Sequence, residues 1–94
     1  MITDTAKIKL TTGDENIGEQ VFDQIQSYLD SSEHCKRYLL ARDITTRRDY
    51  TLHIIWSSLY WRNQAWSQFS ELLDTNGIDY QGTIRVRDEN GEII

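Results

Sequence analysis

The order in which two hydrophobic periods replace one another constrains this chain more than any other feature. Residues 5–11, TAKIKLT, alternate, with Ala6, Ile8 and Leu10 on one side and Lys7 and Lys9 on the other. A period of two marks a half-buried strand. Residues 15–30 switch to the helical period. At about 100° per residue, Ile17, Gly18, Val21, Phe22, Ile25, Tyr28 and Leu29 fall within an arc of about 140°. Thr12 and Glu15 have capping-box spacing at its start. Period two returns in CKRYLLARDI, residues 35–44, and again in YTLHIIW, residues 50–56. The polar TTRRD between them is short enough for a hairpin. In the second of these strands Tyr50, Leu52, Ile54 and Trp56 share a face, and Thr51, His53 and Ile55 share the other.

Ser57 or Ser58 caps a second helix that runs to about residue 74, as the first serine before a renewed helical period would. Its apolar arc holds Trp61, Ala65, Trp66, Phe69, Leu72 and Leu73, with Trp61 and Trp66 at the margins. Asn76-Gly77 stops it, Gly77 being able to turn left-handed. Residues 78–87 supply a last strand, with Gly82 as a candidate bulge. Asn90-Gly91 is a hairpin signal and predicts that residues 92–94 fold back as a short C-terminal arm. The predicted order is therefore β-α-β-β-α-β in one α+β domain, residues 1–94. That is the ferredoxin-like arrangement, an antiparallel sheet with both helices on one face.

Charge adds a second constraint. The net charge is −5. No basic residue falls between Lys9 and Lys36, where Asp14, Glu15, Glu19, Asp23, Asp30 and Glu33 are found. Acids are thus expected on the first helix and basic groups, Lys7, Lys9, Arg85 and Arg87 among them, on the open sheet face. The acidic balance argues against phosphate-backbone binding. YTLHIIW also lacks the stacking aromatics of an RNA-recognition strand, so no nucleic-acid partner is expected. No run reaches the ~20 apolar residues of a membrane span, and MITDTAKIKL lacks the basic-then-apolar order of a signal peptide. One cysteine, Cys35, cannot close an internal disulfide, which fits a reducing cytoplasm. His34 and Cys35 have no partner pair at ligand spacing, so no metal site is expected. The glycines are isolated and form no phosphate loop. The apolar share, 38%, is low for so small a monomer, and a partner subunit would help to stabilise it.

Two short segments carry a resemblance. CKRYLLARD, residues 35–43, with Tyr38 inside it, and YTLHIIWSS, residues 50–58, resemble the second and third strands of the antibiotic-biosynthesis-monooxygenase-like proteins, the dimeric α+β barrels. The resemblance covers about residues 5–70. It implies a homodimer whose sheets face one another and close a barrel. It also implies a planar or aromatic small-molecule ligand, and cofactor-independent oxidation or isomerisation of it. Enzymatic members frequently carry a histidine early in the second helix, where this chain has Gln64, and many interrupt that helix with a pocket-lining loop, which this chain does not.

The candidate site residues follow from both readings. His53 is the one histidine inside a strand and the best placed general base or proton donor; a hydrogen-bonded sheet histidine is the competing reading. Trp56 either caps the core or opens a pocket at the strand–helix junction. Trp61, Tyr38, Gln64 and Arg85 complete the expected ligand contacts. A non-catalytic interaction module of the same fold is the alternative.

Overall fold

The structure, a computed structural model, describes residues 1–94. Its elements are β1 (Ile2–Leu10), α1 (Glu15–Ser31), β2 (Cys35–Arg42), β3 (Asp49–Trp56), α2 (Leu59–Thr75) and β4 (Tyr80–Arg87). The four strands form one sheet in the order β2-β3-β1-β4, and every neighbouring pair is antiparallel. Both helices pack on one face, so the alternation in each strand decides what the helices cover. Ala6, Ile8, Leu10, Leu52, Ile54 and Trp56 turn toward them and are buried. α1 contributes Val21, Phe22, Ile25 and Leu29, and α2 contributes Ala65, Trp66, Phe69 and Leu73.

Several local expectations are corrected. β1 begins at Ile2, earlier than the alternation from residue 5 suggests, because Asp4 also points to the core. The cap of α1 is Asp14, whose carboxylate accepts from the Asn16 N–H at 2.7 Å. Thr12 is used elsewhere: its hydroxyl donates to Asp79 at 3.1 Å and ties the approach to α1 to the approach to β4. Gly82 is no bulge. It pairs in register with Ile8, and a Cβ there would lie 1.9 Å from the Lys7 carbonyl oxygen, so glycine is required by close backbone approach. β4 starts at Tyr80, and the C-terminal arm folds back on it as expected, with a bridge from Arg87 to Ile93 and the Ile94 N–H donating to the Val86 carbonyl at 2.9 Å. α2 is uninterrupted, starts at the Ser58 cap and ends where Gly77 takes φ 69°.

The expected separation of charge into two layers is incomplete. Arg42 at the end of β2 and Arg47 in the β2–β3 loop both turn toward α1 and pair with Glu19. Those pairs lie at the rim of the site described next.

Candidate functional site

A cleft of about 220 Å³ opens between α1 and the β2–β3 edge of the sheet. Its floor follows from strand alternation, which points Leu40, Arg42 and Tyr50 toward the helices. Tyr50 and Arg42 are cross-strand partners. The Tyr50 ring stacks on Phe22 of α1, with centroids 3.7 Å apart and planes within 6°. Glu19, Asp23 and Gln26, spaced along the exposed side of α1, form the opposite wall. Tyr50 is buried, 4% exposed, and its hydroxyl donates to no acceptor in the protein. Burial pushes the Tyr50 phenol up from its ordinary pKa, with the neighbouring Arg42 working in the opposite direction. It is therefore neutral, and a donor, at pH 7.

The rim is ionic. Arg42 and Arg47 converge on one oxygen of Glu19, Arg47 at 2.7 Å. Arg47 also reaches Glu15 at 3.9 Å. Arg47 is the one non-glycine residue with a positive φ, 60°. Two arginines hold the Glu19 carboxyl below the usual carboxylate range, Arg47 through its hydrogen bond most strongly.

Further along the same sheet face lies a polar node inside the core. Asp4 is 1% exposed. Its Oδ2 accepts from the Trp56 indole at 3.3 Å, from the Arg62 Nε at 3.2 Å and from the Trp66 indole. Arg62 also lies over the Trp66 ring, 5.5 Å from its centroid. Two indoles and a guanidinium thus answer Oδ2 of one buried carboxylate, while its Oδ1 is buried without a hydrogen-bond partner. Trp61 lies apart, stacked on His34 at 3.8 Å and 37% exposed.

The other sheet face is bare. Rows read across β2, β3, β1 and β4 run Arg37, Ile55, Thr3, Arg87 and then Leu39, His53, Thr5, Arg85. Leu39 is 61% exposed. The His53 Nδ1 and the Thr5 hydroxyl are 3.2 Å apart. A depression of about 150 Å³ lies between Arg37, Leu39, His53 and Ile55.

The six residues singled out in the sequence do not converge. His53 and Arg85 share a row of the bare face, on opposite sides of Thr5. Trp56 is wholly buried, with its indole on Asp4, so in this chain it lines no opening. Tyr38 reaches the helix side, where its hydroxyl donates to Asp30 of α1. Trp61 and Gln64 are exposed on α2. Sequence reading missed Arg42 and Tyr50 as lining of the cleft and Asp4 as the centre of the core node. Parity placed Tyr50 on the helix-facing side, but nothing local signals that its hydroxyl would lack an acceptor.

No family model matches the sequence, and no curated protein is close enough to count as a relative. Solved structures are similar over nearly the whole chain. A candidate antibiotic biosynthesis monooxygenase from Deinococcus radiodurans superposes with a TM-score of 0.72 at 15% identity, covering 100% of this chain and 96% of that one. An antibiotic biosynthesis monooxygenase gives 0.75 at 14% identity, covering 94% and 97%. SnoaB, a cofactor-independent oxygenase from Streptomyces nogalater, gives 0.63 at 14% identity, covering 88% of each chain. The fold is that of the antibiotic biosynthesis monooxygenase structures.

Proposed function

We propose that this chain is a cytoplasmic homodimer that binds a planar, aromatic small molecule in the cleft between α1 and the sheet and transforms it without a resident cofactor. The observation that carries the reading is the cleft itself, floored by the stacked Phe22–Tyr50 pair. The open space of about 220 Å³ is large enough to admit a single ring against Phe22 and Leu40. The likeness to SnoaB, a cofactor-independent oxygenase, supports oxidation by molecular oxygen as the reaction class. The bare sheet face supports the dimer: Leu39 and Ile55 stand on it with no helix to cover them. His53 and Arg85 belong to that face, on the far side of the sheet from the cleft. In this reading they serve the meeting of subunits.

A binding module without turnover is the competing reading. The uninterrupted α2 favours it, because no loop of that helix opens over the sheet. Oxygen uptake with 1,4-hydroquinone separates the two. The enzyme reading expects uptake that Leu40→Arg, which fills the cleft, removes. Protein that binds the ring with no uptake above buffer selects the binding module.

A further inference from the structure

We infer that the cleft selects a single-ring ligand carrying a neutral carbonyl oxygen, which accepts a hydrogen bond from the Tyr50 hydroxyl. The inference rests on the cleft reading above and goes further, naming the group recognised and the residue that recognises it.

Three observations carry it. The Tyr50 hydroxyl is a polar group in the core that donates to no protein acceptor; the side chain that acts on it, the Arg42 guanidinium, is itself only a donor. Such a group costs the folded state roughly 1–3 kcal/mol, so an oxygen acceptor brought by a ligand removes a penalty already present. The ring beneath it is fixed by the Phe22 stack, so the hydroxyl can rotate while the ring stays in place. The third observation is charge. Glu19 and Asp23 line the cleft with Arg42, and Arg42 and Arg47 both pair with Glu19, which leaves Asp23 as the cleft carboxylate with no salt bridge. A carboxylate entering there meets the unpaired Asp23, while the two guanidiniums are already held by Glu19, and the Asp23 charge opposes it. A neutral carbonyl keeps the hydrogen bond and avoids the repulsion. Access takes a movement of the Arg42 side chain, which is one-third exposed and pairs with Glu19 at the rim.

The test titrates the full chain and Tyr50→Phe with acetophenone, toluene and benzoate, following backbone amide shifts. Tyr50→Phe keeps the stacked ring and removes only the oxygen. Acetophenone is expected to bind the variant about fivefold more weakly than the wild type, the weight of one neutral hydrogen bond. Toluene should change by less than about twofold, and benzoate should be the weaker of the two oxygen-bearing probes on the wild type. The free variant should unfold at the same or a higher urea concentration, since an orphaned hydroxyl has gone. Equal losses for acetophenone and toluene, no loss for either, or preference for benzoate would overturn the inference while leaving the cleft as a ring site. A clear drop in the variant's urea midpoint overturns it too, because the hydroxyl then has a structural partner. If no probe shifts the amides around Phe22 and Tyr50, both this inference and the cleft reading fail.

Discussion

At the scale of single residues, Asp4 explains most of the tryptophan-rich stretch from Trp56 to Trp66. Spacing along the chain separates Trp56, which ends a strand, from Trp66, in the middle of a helix. In space, both point their indole N–H at one carboxylate. Replacing Asp4 leaves two indole donors and the Arg62 guanidinium facing a void, and a broken buried pair of this kind costs more than a lost surface bridge. Asp4→Ala is therefore expected to lower the unfolding free energy by about 3 kcal/mol, read from urea denaturation. Trp61→Ala, on the exposed His34 stack, serves as the contrast and should cost far less. A carboxylate in a strand ordinarily reads as a solvent-facing residue. Its parity with Ala6, Ile8 and Leu10 was the available signal that it faces the core, but its three partners come from positions 56, 62 and 66 and no local pattern announces them.

At the scale of elements, the strands and helices were legible because each shows one hydrophobic period over its length, and each period matches a face that another element covers. What was not legible depends on distances between elements. Gly82 looked like a bulge because a glycine inside a strand often is one; the structure keeps the register and uses the missing side chain to let β4 approach β1. A Cβ at 1.9 Å from a backbone oxygen cannot be accommodated by turning a side chain. Gly82→Ala should thus cost about 2–3 kcal/mol and lower the urea midpoint, with the loss concentrated in hydrogen-exchange protection along the β1–β4 pair. The cleft was illegible for a similar reason: Arg42 and Arg47 count as basic residues in sequence, and only the fold turns them onto Glu19. That contact makes a pH prediction. The Glu19 pKa is lowered from its ordinary 4.5 by Arg47 and Arg42. A carboxyl with a depressed folded pKa contributes its full stabilisation above the unfolded value and loses it as pH falls through the folded one. Urea midpoints should accordingly begin to fall below about pH 4.5, and Glu19→Gln should make that decline shallower while leaving its slope near pH 7 unchanged.

At the scale of the whole molecule, one sheet divides two surfaces of different character. The helix-covered side holds the core, the Asp4 node and the cleft. The bare side presents Leu39, Ile55, His53 and the basic groups Arg37, Arg85 and Arg87. If a second copy covers that face, sedimentation at micromolar concentration will show a dimer, and Leu39→Asp will shift it to monomer without loss of helical circular dichroism, because Leu39 touches no part of its own core. A Leu39→Asp protein that remains dimeric places the subunit contact elsewhere. With the ring ligand on one side of the sheet and the partner on the other, a crystal structure of the chain grown with acetophenone tests both placements at once. The predicted result is a ring lying against Phe22 and Leu40, its oxygen at hydrogen-bond distance from the Tyr50 hydroxyl, in each of two copies joined through Leu39, His53 and Ile55. A ring found on the His53 side of the sheet, with the Phe22–Tyr50 cleft closed, would contradict it.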